Sequence, residues 1–442
     1  MNKAVLYDTT TELNLFGKNA LDRLSEVCDR IFGNTPLIVI SDERIWTHEG
    51  KYLETYLAGK KAFDLFLLPI FPVPYADEAL VATVRSKIGG KAPIAFGSGT
   101  INDVVKLASS ELDRPYVCIP TAPSVDGFTA FGAAISVGDF KTTVDCSAPK
   151  AILADEGILA RAPAELCASG FGDLIAKLTA GVDWITAEAG GIEPINEEIW
   201  NMVQPLAAGI LNKAKKVRLR DMDTIGKLYC GLVATGLAMQ RYHDSRPASG
   251  AEHLLSHVWE MEHLSIEGIP VSHGYKVAIG TIAMTKFQRT LFSLSKKEII
   301  EASLAADVAN GTEKVEELLE RRFSLAKQLL GGSPILGNIL EIVEAKTPRR
   351  VNLAARRATF IDGWESLCER ALIRLPDSST LIERLSEAGC PTKFVDIGLS
   401  REDLFRGFMI ASLIRKRYTT LDLAAEFGLL EKLAKTASEW DN

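Results

Sequence analysis

The chain has 442 residues, 47% hydrophobic and 24% charged, with a formal net charge of −7. That length suggests two or three domains, and the composition excludes collagen, coiled coil and extended disorder. An acidic chain has no electrostatic footprint for nucleic acid, although one local basic pocket would suffice for a phosphorylated metabolite. The seven cysteines are scattered, with no CxxC pair, which reads as reduced thiols and not as a disulfide frame or a cysteine zinc site. The opening residues are too polar for a signal peptide, and no apolar run reaches the ~18 residues of a membrane span. A cytoplasmic protein without a membrane span is expected.

In chain order, residues 36–40 predict a buried parallel strand that stops at Ser41-Asp42. Residues 64–68, 93–96 and 116–120 predict three more, and 151–155 a last one. Residues 21–31 and 78–88 repeat apolar positions at helical spacing between them, the grammar of βαβ units. Beyond Asp155 the strand signal stops. Segments 207–216, 223–242, 277–292 and 315–330 predict amphipathic helices. The expected fold class is α/β plus all-α: a Rossmann-like domain over residues 1–155, then a helical domain over 156–442.

Gly97, Ser98, Gly99, Thr100, Ile101, Asn102 and Asp103 stand where the third predicted strand hands over to a helix over 104–109. Glycines there let backbone approach a pyrophosphate, and the free N–H groups of a helix start favour its charge. Asn102 keeps the run from being a full GxGxxG, and a ligand-free strand-to-helix turn fits Gly-x-Gly equally well. Asp42 suits a ribose diol, and equally a helix N-cap. Thr121, Ala122, Pro123 and Ser124, followed by Asp126, form a stiff loop suited to a cofactor or substrate rim.

Four of the six histidines fall between positions 253 and 273. His253 and His257 are i and i+4 on one helix face, and His273 follows a Gly/Pro break at the start of another helix. Leu254 stands where an HExxH metalloprotease needs glutamate. His263, beside Glu262, reads as an ordinary structural histidine. Asp173 is placed at the start of an apolar helix, as its N-cap or as a third ligand that leaves one position of a divalent metal open.

The motifs GSGTIND, PTAPSVDGF, ASGFGDLIAK, SGAEHLLSHVWE and SHG, in that order, resemble the bacterial branch of the sn-glycerol-1-phosphate dehydrogenase family. That family lies within the dehydroquinate synthase-like group that includes iron-type alcohol dehydrogenases and glycerol dehydrogenase. The similarity runs from the Asp42 strand to Leu430, and the run GLSREDL with IRKRYTTLD points to the bacterial branch more narrowly. The resemblance implies a nucleotide-binding first domain and a metal- and substrate-binding helical domain. It implies one divalent metal per chain on Asp173, His253 and His273, with zinc expected first and nickel or iron fitting the same ligands. It implies NAD(H) or NADP(H) on Gly97 to Asp103 and Thr121 to Ser124, and Asp42 at the end of the first predicted strand is a further cofactor candidate by its position. Ala130 stands where a serine facing the cofactor is expected.

Substrate contacts are implied for Asp126, Asp173 and His257, with Asp126 and His257 as the catalytic pair. The implied reaction is reversible reduction of dihydroxyacetone phosphate, a small phosphorylated triose, to sn-glycerol 1-phosphate in a homodimer. His257 either bonds a substrate hydroxyl or relays the proton, with cofactor ribose or water as the competing route. Arg246 and Lys177 are candidates for the phosphate, a structural ion pair being the favoured alternative for each. Rival activities are a dehydrogenase of an unphosphorylated polyol such as glycerol, and a dehydroquinate-synthase-like lyase; Asp173 disfavours the lyase.

Overall fold

Short aliphatic runs become the strands of one six-stranded parallel sheet: β1 (Leu13–Gly17), β2 (Leu37–Asp42), β3 (Phe63–Leu68), β4 (Ala92–Gly97), β5 (Val117–Pro120) and, after the antiparallel hairpin β6 (Ala133–Val137) and β7 (Phe140–Val144), β8 (Ala151–Asp155). The computed structural model describes residues 9–57, 62–138, 140–310, 315–347 and 353–440. The strand order is β1-β8-β5-β4-β2-β3. Strands β2, β4, β5 and β8 are buried on both faces apart from Asp42, so they read as continuous apolar runs without alternation. β1 alternates buried and half-buried residues at the sheet edge and pairs in register with β8, Leu13 opposite Ala151 and Gly17 opposite Asp155.

Two compact units are distinguished. The first comprises Met1–Leu174, Pro205–Ser245 and Glu387–Cys390. Its core packs Leu15, Leu24, Val39, Ile94, Phe96, Val117 and Leu153 from the sheet and its helices. The helix Met222–Tyr242 covers β1: the Phe16 and Tyr229 rings lie 5.3 Å apart, and a Cβ on Gly226 would meet Phe16 Cζ at 2.8 Å. Near the end of that helix Gln240 Oε1 accepts from Thr10 N and Oγ1, while its Nε2 donates to Thr11 Oγ1.

The second unit comprises Ile175–Gln204, Arg246–Ser386 and Pro391–Asn442. Its described residues are helical except for loops and a small hairpin, Ser265–Ile266 with Ile269–Pro270. Buried charge organises it. Asp183 accepts from Ala251 N (2.6 Å), Thr420 N (2.8 Å) and Thr420 Oγ1 (2.7 Å). Burial, with the Glu252 carboxylate nearby, pushes Asp183 up to about 6. Asp422, from the TTLD run, holds two buried cations, Arg322 at 3.1 Å and Lys346 at 3.0 Å.

Expected and observed elements differ in places. The segment 207–216 is not one helix: Glu197–Leu211 ends there and Ala214–Arg218 begins afresh. The 104–109 helix extends to Gly99–Glu111, starting at the glycine turn itself. Among the described residues no helix is long and apolar enough to cross a membrane.

Candidate cofactor turn and metal centre

β2 is followed by β3 on one side of the sheet, and β4 by β5 on the other. The carboxyl ends of β2 and β4 therefore form the topological switch point, where open α/β sheets bind ligands. Asp42 and Gly97 close those two strands, and Ser41 Oγ ties them by donating to Phe96 O at 2.7 Å. Asp42 Oδ1 accepts from Ile45 N at 2.8 Å, so its N-cap role is realised.

Ser98 is the N-cap of the Gly99–Glu111 helix, yet its side chain makes no capping bond. The first intrahelical bond runs from Asn102 N to Ser98 O. The first-turn N–H groups of Gly99, Thr100 and Ile101 thus lack intrahelical partners, the arrangement that receives a phosphate. Gly97 is sterically required, since a Cβ would lie 2.6 Å from the Ile101 side chain, and a Cβ on Gly99 would crowd Val125 Cγ2 at 3.0 Å. Asn102, by contrast, is buried and structural: its Oδ1 accepts from Tyr116 Oη at 3.1 Å and its Nδ2 donates to Gly127 O.

Lys106, one turn further, is fully buried and donates to Gly127 O (2.7 Å), Ala130 O (3.0 Å) and Gly132 O (3.0 Å). Its ammonium staples the segment that carries Asp126. Thr121 N donates to Gly97 O at 3.0 Å, which joins the stiff loop to the glycine turn. Ala122, Ser124 and Ala130 are buried.

Two glycines let helices press against this loop. A Cβ on Gly170 would lie 1.8 Å from Pro123 O, and one on Gly236 would lie 2.2 Å from Thr129 Oγ1. Asp173, three residues beyond Gly170, is not the helix N-cap. It sits near the end of Ala164–Ile175, fully buried, and its Oδ2 accepts from Asp126 N at 2.9 Å.

The histidines are held by glutamates. His253 and His257 lie on the helix Ala251–Met261, and His273 opens the helix His273–Phe292. The first helix starts where Asp183 and Glu252 take the N–H groups of Ala251 and Gly250. His253 Nδ1 lies 2.7 Å from Glu252 Oε1 and His273 Nδ1 2.9 Å from Glu260 Oε1, while His257 Nδ1 lies 3.2 Å from Glu260 Oε2. An ionised carboxylate only accepts, so each Nδ1 donates, and in a neutral ring Nε2 then keeps its lone pair. Burial pushes the His257 imidazole below its ordinary value, to about 4, against the pull of Glu260. Its ring is neutral at pH 7.

Asp173, His253 and His273 each offer a ligand atom, and these atoms lie within 4.8 Å of one another. Arg246 takes the structural alternative: its fully buried guanidinium donates to Glu193 Oε2 (2.6 and 2.9 Å) and Tyr418 O (2.9 Å). Lys177 is buried as well. Residue patterning missed Glu252, Glu260, Lys276 and Lys106. Glutamates one residue before His253 and three after His257, inside SGAEHLLSHVWE, were the available signal.

A family model described as iron-containing alcohol dehydrogenase matches residues 15–163. The chain is 33% identical over 304 residues to a glycerol-1-phosphate dehydrogenase [NAD(P)+] of Bacillus subtilis, covering 65% of this chain and 76% of that relative. The chain belongs to the glycerol-1-phosphate dehydrogenase family. A relative of the same name from Bacillus licheniformis is 28% identical over 431 residues, 97% of this chain and 84% of that one. An iron-containing alcohol dehydrogenase structure from Thermococcus thioreducens superposes with a TM-score of 0.62 at 12% identity, covering 99% of this chain and 100% of the other; this shows the shared fold. Membership makes the chain an NAD(P)-dependent oxidoreductase and brings a divalent metal as the expected second cofactor.

Proposed function

We propose that the chain reversibly reduces dihydroxyacetone phosphate to sn-glycerol 1-phosphate with NAD(P)H, using a divalent metal held by Asp173, His253 and His273. The observation that carries this reading is the cluster of those three side chains, two of them imidazoles whose Nδ1 atoms are committed to carboxylates. Their chemistry fits the group: two imidazole nitrogens and a carboxylate oxygen suit zinc, with nickel or iron tolerated, and three protein ligands leave a position for substrate oxygen. When bound, the metal supplies Lewis acidity to the C2 oxygen as hydride arrives. In this reading residues 1–155 carry the cofactor, and 156–442 the metal and substrate.

The protein's own residues then set position and protonation. The N–H groups at Gly99 to Ile101 receive the pyrophosphate, and the loop from Thr121 to Ser124 lines the cofactor beside them. Asp42 Oδ1 is engaged with Ile45 N, which leaves Oδ2 to select NAD(H) by bonding a ribose diol and repelling a 2′-phosphate. Asp126, tied through its backbone to Asp173, faces the substrate. His257, neutral with Nε2 as an acceptor, bonds a substrate hydroxyl and takes the proton in the oxidative direction.

The test is NADH and NADPH oxidation with dihydroxyacetone phosphate, dihydroxyacetone and glyceraldehyde 3-phosphate, together with metal analysis of the wild type and His273→Ala. Expected are a preference for dihydroxyacetone phosphate, about one divalent ion per chain, and loss of metal and activity in the mutant. Equal activity on dihydroxyacetone would favour the polyol dehydrogenase reading. Full occupancy in His273→Ala would overturn the ligand set.

A further inference from the structure

Glu260 is a buried carboxylate whose two oxygens serve different histidines. Oε1 lies 2.9 Å from His273 Nδ1 and 3.2 Å from Lys276 Nζ; Oε2 lies 3.2 Å from His257 Nδ1. Lys276 is itself buried and also donates to Val271 O at 2.9 Å, so its ammonium is fixed in place on Oε1. The residue sits on the same helix as His257, three positions on, and receives His273 from the next helix.

We infer that Glu260 is a positioning residue shared by the metal ligand His273 and the substrate-facing His257, setting both rings to the Nδ1–H tautomer so that both present Nε2 as a lone pair. The inference rests on the ligand set proposed above. A ligating ring must offer an unprotonated nitrogen, and a partner carboxylate on the other nitrogen fixes orientation and raises basicity. One carboxylate performing this for two rings couples them, because neither tautomer can change without altering what the other oxygen's neighbours see. Lys276 makes the coupling directional. It demands an acceptor on the His273 side whatever occupies position 260.

Two variants separate the roles. In Glu260→Gln the amide must turn its oxygen towards Lys276 and His273, which puts its NH2 group against His257 Nδ1. That nitrogen then becomes an acceptor, and His257 changes to the Nε2–H tautomer while His273 keeps its own. In Glu260→Ala both rings lose their partner, and zinc affinity is expected to fall roughly 10- to 100-fold.

The readouts are imidazole 15N chemical shifts in the histidine-labelled, metal-free full chain, and zinc dissociation constants by chelator competition, with His253→Ala measured alongside. Wild type should show Nδ1–H on both His257 and His273, and Glu260→Gln a switch at His257 alone. If Glu260→Ala proves unfolded, the ring signals of Glu260→Gln decide. An unchanged His257 tautomer in Glu260→Gln, or zinc affinity within twofold of wild type in folded Glu260→Ala, overturns the inference. Zinc released by His253→Ala but retained by Glu260→Ala would sink this inference alone, whereas zinc retained by His253→Ala would sink the ligand set beneath it.

Discussion

Gly170→Ala adds one methyl group where the helix Ala164–Ile175 meets the stiff loop. The new Cβ would lie 1.8 Å from Pro123 O, 2.8 Å from Pro123 C and 3.0 Å from Leu232 Cδ1. A backbone carbonyl cannot rotate away as a side chain can, so helix and loop must separate by more than an ångström. That movement is delivered to both ends of the Asp126 N–H bond to Asp173: Asp126 lies three residues after Pro123, and Asp173 three residues after Gly170. Overpacking of this kind costs about 1–3 kcal/mol of stability, and misplacing reacting groups by ~1 Å costs roughly 100-fold in rate. The variant should therefore stay folded with a lowered melting temperature and lose about two orders of magnitude in kcat/KM. Gly209→Ala is the control, since that helical glycine has nothing within 4 Å of its would-be Cβ. It should be neutral or stabilising by roughly 0.5–1 kcal/mol. Thermal melts and steady-state kinetics check both. If Gly170→Ala matches wild type in kcat/KM and melting temperature, close helix–loop contact does not hold the site.

Asp42→Gly should lower the ratio of kcat/KM for NADH over NADPH, with only a few tenths of a kcal/mol lost from the cap; an unchanged ratio leaves Asp42 as the cap of Ile45 N and nothing more. His257→Ala should retain metal and bind NAD(H) while losing roughly 100- to 10,000-fold in catalytic efficiency with dihydroxyacetone phosphate, and release of metal would make it a ligand instead. Asp422→Asn leaves Arg322 and Lys346 buried without their counter-charge, so chemical denaturation should show about 3–5 kcal/mol lost; a loss below about 1 kcal/mol would mean that the two cations find other partners.

Strands β2, β4, β5 and β8 were legible because a strand buried on both faces is a short aliphatic run bounded by turn residues, and little else looks like that; β3, at the sheet edge and partly exposed, was legible only as a short aliphatic run. β1 was not: Leu13 to Gly17 is five residues at a sheet edge, and its alternation is too brief to stand out from a loop. The β6–β7 hairpin went unseen for the same reason. At the glycine turn, patterning set the helix start five residues late, because the apolar period begins at Val104 although the backbone is already helical at Gly99. Asp173 was picked out as a ligand but assigned to the wrong end of its helix. The ASG run before it, which looks like a breaker, is a packing surface inside the helix. His253, His257 and His273 were singled out by their clustering and by the family resemblance. Their glutamate partners were not, since a glutamate on a helix is ordinarily solvated and only burial distinguishes Glu252 and Glu260.

Those unforeseen residues share a physical role. Lys106, Glu252, Glu260 and Asp183 are buried charges, and each satisfies backbone N–H or carbonyl groups, or imidazoles, at a helix start or a loop. Burying a charge is costly unless it is paired or hydrogen-bonded, so such a residue persists only where several partners converge on it. Convergence of that kind makes the local geometry unique, because displacing any one partner leaves a charge exposed to low dielectric. The glycines act oppositely. They remove side-chain volume so that Pro123, Thr129 and Val125 approach within van der Waals distance of a helix backbone. Close packing holds the Asp126 loop, and buried charge holds the histidines.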